Sequence, residues 1–245
     1  MYSPANATNN PPRYLVADGV AIYGGFVGSE TTRDERDWLE NLTILSGDID
    51  GNDSEPIATR PNDIQGNNTG PILEATGAGT GTRLDGFTVT AGTGGSGSGM
   101  VIANGDGMVV ENVDFIGNFS SANGGGVLAD DAIAKFRNVR FLFNEAQRGG
   151  GLRLLGPDSF VTLVNTTFQE NSSDNNGGAI YSNGNGFSAV NVRFLGNESN
   201  EGGAITCNNC TIEIANGEFV NNQGNRGGLM QNVAGGLVTM TNIIA

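Results

Sequence analysis

The chain contains no histidine, a single lysine (Lys135) and only two cysteines among its 245 residues. Without histidine it lacks the side chain that most often serves as a general base near neutral pH and as a metal ligand. That counts against many hydrolytic and metal-dependent enzymes. Two cysteines cannot staple a disulfide-dense scaffold. The composition counts against zinc as well, because the pair in Cys207-Asn-Asn-Cys210 would need two further good ligands and there is no third cysteine and no histidine. No apolar run approaches the about 18 residues of a membrane-spanning helix. The start, Met1-Tyr-Ser-Pro-Ala-Asn6, has neither the basic nor the apolar region of a secretory signal, so an export signal is expected outside this chain. Positive charge is scarce overall: the formal net charge is −14. Such a surface repels nucleic acid and anionic lipid headgroups, so neither is expected as a partner.

What is abundant is glycine, with 40 residues, and asparagine, and both recur at fixed intervals. A phrase Phe-x-x-Asn opens at Phe115, Phe141, Phe168, Phe194 and Phe219 and closes at Asn118, Asn144, Asn171, Asn197 and Asn222. Each copy is followed by a Gly pair: Gly124-Gly125, Gly149-Gly150, Gly177-Gly178, Gly202-Gly203 and Gly227-Gly228. Three residues before each Phe stands another asparagine, at Asn112, Asn138, Asn165, Asn191 and Asn216, and then Asn242. A two-residue expansion of one repeat is placed at Gly156-Pro-Asp-Ser159. A period in the twenties means that each repeat is one supersecondary unit that buries its apolar face only by stacking on its neighbours.

Strand-length apolar stretches such as Val161-Thr-Leu-Val164 and Thr211-Ile-Glu-Ile214 alternate with these turn residues, and no helical period runs through them. The expected fold is therefore all-β: a right-handed single-stranded parallel β-helix with rungs of about 25 residues. It is read as one elongated domain over residues 1–245, irregular over 1–83 and regular over 84–245. The Phe column is expected to form an internal aromatic stack, and the Asn columns hydrogen-bonded ladders at turns. The Gly pairs are expected at corners that need φ > 0 or close backbone approach. Asp114 should fall beside Arg140, Arg193 beside Glu218, and Glu111 beside Arg137, as opposite charges on adjacent strands.

The phrase Gly-Gly-Ala-Ile at 177–180 and 202–205, paired with Phe-x-x-Asn, resembles the repeat of chlamydial polymorphic outer membrane proteins. It is also similar to the repeats of large secreted bacterial β-helix proteins. The segments Val20–Val27, Glu30–Trp38, Thr43–Asp53 and Leu84–Thr90 resemble the block that precedes such repeats. The resemblance implies a surface-displayed or secreted passenger used for adhesion or cell-surface structure, and it carries over no catalytic residue. The chain stops inside another copy of the phrase, at Asn242-Ile-Ile-Ala245, so a fragment of a longer protein is expected, or else a unit whose ends join end to end in self-association.

Several residues invite chemistry. Asp48, Asp50 and Asn52, with Asp53 following, begin like an EF-hand loop but lack its glycine and terminal glutamate, leaving a looser Ca²⁺ turn or a solvated acidic turn. Cys207 and Cys210 are read as a local disulfide or two quiet thiols. The column Ile102, Leu128, Arg153, Tyr181, Thr206 and Gln231 is read as outward-facing, with Arg153 and Tyr181 as a sugar-binding platform. Trp38 is expected to plug the side or end of the solenoid. No carboxylate pair is evident at the spacing glycosidases use. The expected function is a non-catalytic extracellular or bacterial cell-surface segment that meets a glycan or protein receptor. The alternative is a polysaccharide lyase, a glycoside hydrolase or a polysaccharide-binding module, with no cofactor other than Ca²⁺.

Overall fold

The structure is a computed structural model that describes residues 2–3 and 12–245. It is a parallel β-solenoid of about seven turns, with rungs of about 26 residues. Among the described residues there is no α-helix, only short 3-10 turns at Arg33–Glu35 and Pro61–Asp63. No helix among the described residues is long and apolar enough to cross a membrane.

One rung shows how the repeat makes this shape. Val127–Asp130 belongs to a first sheet of eight strands, Ile133–Arg137 and Arg140–Leu142 to a second of ten, and Glu145–Arg148 to a third of six. Leu152–Leu155 then re-enters the first sheet one rung further on, in parallel register with Val127 opposite Leu152. Between these strands the backbone turns through left-handed residues: Asp131 (φ 46°), Asn138 (φ 51°), Phe143 (φ 55°) and Gly149 (φ 65°). Asparagine tolerates that region better than most residues, which is why it fills the bend in the second sheet at 112, 138, 165, 191, 216 and 242. The Gly pair divides its labour. Gly149 supplies the positive φ, whereas a Cβ on Gly150 would meet the carbonyl oxygens of Ser172 at 2.2 Å and Gly178 at 2.5 Å. The expanded turn at 156–159 links Leu155 to the strand Phe160–Gln169 and leaves Phe160 in register with Ile133.

The core is a column rather than a ball. Phe115, Phe141, Phe168, Phe194 and Phe219 form one interior file, with successive ring centroids 5.3, 4.6, 5.2 and 4.7 Å apart and planes within 15° of parallel. Beside them lie apolar files such as Val127, Leu152, Ile180 and Ile205. Among the outward charges, Arg140 pairs with Asp114, and Arg193 Nε lies 2.6 Å from Glu218. Glu111 stands opposite Arg137 in register. Its ion pair, however, goes to Arg83 of the preceding rung.

The N-terminal part is a rung with two insertions. Ala21–Tyr23 and Ile44–Ser46 pair with the two halves of the next rung's strand, Arg83–Thr90. Residues 24–43 leave the sheet at the position where later rungs carry the bend asparagine. They are tied back by Arg36, whose guanidinium is buried, lies 2.7 Å from Asp85 and donates to the Gly24 carbonyl at 3.0 Å. Tyr23 and Trp38 flank that guanidinium, each ring centroid 5.2 Å away. Trp38 therefore covers the flank of the solenoid. The second insertion occupies residues 47–72, and the Thr93 N–H bonds to the Thr69 carbonyl at its end.

Candidate functional site

The two asparagine columns, alike in sequence, do different work. Asn118, Asn144, Asn171, Asn197 and Asn222 point inward, and the first four are fully buried. Asn144 Oδ1 accepts from the Asn118 backbone N–H at 3.1 Å and from its amide at 3.0 Å, while Asn144 Nδ2 donates to the Phe115 carbonyl at 2.8 Å. Each side chain thus satisfies backbone groups in the turn of the rung before, while the asparagine of the next rung satisfies its own backbone N–H, as buried polar groups require. The other column lies on the outer surface at the bend, each amide from Asn138 onward donating to the asparagine Oδ1 of the rung before at 3.0–3.1 Å. It is an exposed amide ladder.

Arg153 and Tyr181 are brought together, but not as an open platform. The guanidinium sits 4.0 Å from the ring centroid, yet the residues are only 3% and 8% exposed. Strand alternation does point them outward from the first sheet. They are covered because the chain arriving from the third sheet turns at its left-handed glycine and lies against that face. The Thr206 hydroxyl, for example, donates to the Glu201 carbonyl. The true neighbour in this column at the N-terminal side is Val101, since Ile102 pairs with Ala129 and faces the core. Arg153 donates to the Tyr181 carbonyl at 3.2 Å, and its Nε has no hydrogen-bond partner. Burial pulls its pKa down to about 10, against the favourable field of Tyr181. A depressed cation pKa means that the unfolded chain binds the proton more tightly. The cost is therefore present in full below about pH 10 and is relieved only as pH rises beyond it. Arg153→Leu, which copies Leu128 of the adjacent rung, is expected to stabilise the fold by about 1–2 kcal/mol. Urea unfolding checks this, and a lowered midpoint would contradict it.

The acidic turn spends its carboxylates on its own backbone. Asp48, which is buried, accepts from the N–H groups of Gly51 at 2.8 Å and Asn52 and Asp53 at 3.3 Å. Asp50 accepts from Asn67 N–H at 3.1 Å, and Asp53 from Gln65 N–H at 2.7 Å and the Asn68 amide at 2.9 Å. Asn52 packs beside Gly66. This geometry cross-braces two stretches of the second insertion. Among the described residues no three His, Cys, Asp or Glu side chains cluster as metal ligands. Cys207 and Cys210 form a disulfide inside the corner after the first sheet. One rung earlier the same corner is closed by a Ser182–Asn185 hydrogen bond.

A feature absent from the sequence reading is a crease along the bend of the second sheet. At its N-terminal end it forms a cavity of about 610 Å³ between Trp38, Leu39 and Leu42 of the first insertion and the outer asparagines. Asp114, Arg140 and Thr167 line the same hollow. Further along the same two columns a second hollow of about 550 Å³ contains Asn191, Arg193, Asn216, Glu218 and Asn242. Nothing in residue order announced the crease, because only the fold places residue 38 next to residues 112–165.

The stretch from Asn165 through Phe168-Gln-Glu-Asn171 and Gly177-Gly-Ala-Ile180 to Asn183 supplies parts of all three sheets, and it is also where a known family is matched. Residues 165–183 match the Chlamydia polymorphic membrane protein repeat. The chain is thus a parallel β-solenoid repeat protein, one stretch of whose regular rungs is similar to the Chlamydia polymorphic membrane protein repeat. No curated protein and no solved structure matches it significantly. Within the matched repeat, the Phe and Asn of Phe-x-x-Asn are the stacked ring and the inner amide. The Gly-Gly pair is the corner that lets the next rung approach.

Proposed function

We propose that this chain is a non-catalytic, adhesin-like β-helix passenger displayed at a bacterial surface or outside the cell. The observation that carries this reading is the Chlamydia polymorphic membrane protein repeat at residues 165–183, set in a stack whose rungs reuse the same ladders. A rod of this kind holds long faces of amides and paired charges in fixed order, which suits contact with a glycan or protein receptor. End-to-end association of rods is a further mode of contact that the fold would support, through the backbone groups of terminal strands. Antibody labelling of intact source cells tests the location. The expected result is labelling without permeabilisation, lost after external protease. Signal seen only after permeabilisation would sink the proposal.

The second reading, a polysaccharide lyase, a glycoside hydrolase or a sugar-binding module, is favoured by the crease alone. The carboxylate that lines the hollow, Asp114, is already tied to Arg140, and the nearby Asp85 to Arg36. A Ca²⁺ ion at Asp48, Asp50, Asn52 and Asp53 belongs with this reading, and it would have to take over carboxylates that now accept backbone N–H groups. Reducing-sugar release from a polysaccharide panel, with and without Ca²⁺, tests both: turnover on any member would replace the non-catalytic reading.

A further inference from the structure

The geometry points to the crease beneath Trp38 as a binding groove for a neutral polysaccharide chain. The inference deepens the surface-contact reading above and rests on it for where such a chain would be met. The binding site itself stands on its own residues.

Three observations converge there. The first is the amide ladder of Asn112, Asn138 and Asn165. Asn138 and Asn165 each donate one N–H to the Oδ1 of the preceding rung, and Asn112 donates to Asp85 at 2.9 Å. A primary amide has two donors and two acceptor lone pairs, so each rung still offers one N–H and one lone pair outward. That donor–acceptor pair, repeated every about 4.8 Å along the stack, suits the adjacent hydroxyls of successive sugar rings. The second observation is charge. Asp114 and Arg140 in the groove neutralise each other, with Arg140 Nε donating to Asp114 Oδ1 at 2.7 Å. Further along the crease Arg193 and Glu218 do the same. A groove that balances its charges rung by rung gives an anionic or cationic polymer no net attraction, whereas polar uncharged ligands keep their hydrogen bonds. The third is the wall. Trp38 stands half-buried with the exposed Leu39 and Leu42 beside it, an aromatic and apolar surface at the edge of a polar floor. Sugar rings have apolar C–H faces and polar rims, and an aromatic side chain buries the one while amides pair with the other. A peptide strand fits less well, because the crease lies along the side of the stack, where the sheet's backbone groups are already paired between rungs.

Trp38 is the only tryptophan in the chain, so its own emission reports occupancy of the groove. The experiment titrates the full chain with soluble neutral gluco-, manno-, galacto- and xylo-oligosaccharides of increasing length, with polygalacturonate and a sulfated glycan as anionic comparators. The expected result is a saturable emission change with at least one neutral series, with affinity rising with chain length and unaffected by added salt. Asn138→Gly combined with Asn165→Gly keeps the left-handed bends and removes the amides. This variant should weaken binding about tenfold or more, as should Trp38→Ala when followed by calorimetry. Both variants should keep the wild-type β-sheet circular dichroism. Three results would overturn the proposal: no saturable response to any neutral chain, a response only to the anionic glycans that salt abolishes, or binding that both variants leave unchanged. Surface labelling of intact cells stands apart from these outcomes, so a failed groove and a failed surface reading are told apart.

Discussion

Replacing Asn144 with leucine is expected to destabilise the protein by about 3–6 kcal/mol, because it strands several buried polar groups at once. The Asn118 backbone N–H loses its only acceptor on that side, at 3.1 Å, and the Phe115 carbonyl loses the amide that caps it at 2.8 Å. Asn144 is also the donor, through its Nδ2, to Asn171 Oδ1 at 3.0 Å. Leucine has comparable bulk and would fill the space, so the loss measures polar satisfaction rather than a cavity. The outer ladder supplies the contrast. Asn165→Gly preserves the φ of 51° that the bend needs and forfeits exposed amide bonds alone. Its expected cost is about 1 kcal/mol or less. Chemical denaturation of the two variants decides the matter: equal midpoints would show that the inner asparagines are not what satisfies the turns.

Truncating the central ring of the stack comes next in size. Phe168 is fully buried between Phe141 at 4.6 Å and Phe194 at 5.2 Å, both rings nearly parallel to it. Phe168→Ala removes both contacts and leaves a void that neighbouring rungs cannot close without breaking the parallel ladders that hold them apart. The expected cost is about 3–5 kcal/mol. Because each rung touches only its neighbours, the damage should be local in the native state, with hydrogen exchange rising first in the strands flanking Phe168. Phe219 has a ring partner on one side, Phe194 at 4.7 Å, so Phe219→Ala should cost less. A Phe168→Ala variant that melts like the wild type would be incompatible with a single interior aromatic file.

The repeat was readable from residue order because a solenoid writes its tertiary contacts into sequence period. Residues that stack in space recur about one rung apart, so Phe141 and Phe168 could be placed in one file by counting. The same counting located the expanded turn at 156–159 and the cross-strand pairs at Asp114 and Glu218. It failed where two positions obey the same period but face different ways. Asn144 and Asn138 recur alike and are the same residue type, yet the left-handed bend at 138 sends one amide outward while the turn at Phe143 sends the other in. Phe143 and Glu170 hold positive φ at the corner that Gly117, Gly196 and Asn221 fill in other rungs, so in these two rungs residue type gave no warning of it. The burial of Arg153 was hidden for a related reason: alternation along a strand tells which face a side chain leaves from, not what later folds across it.

Period, strand composition and the spacing of Phe, Asn and Gly were enough to determine a parallel β-helix, its rung length, its aromatic file and its glycine corners, since each of these depends on a neighbour one repeat away. What the tertiary structure alone decided is everything that does not repeat. The first insertion reaches the flank through a buried Arg36–Asp85 contact across 49 residues. Through it Trp38 comes to stand over the outer amides and close one end of a groove. Such contacts have no period to announce them, because they are made once, between segments whose meeting depends on the whole stack already being in place.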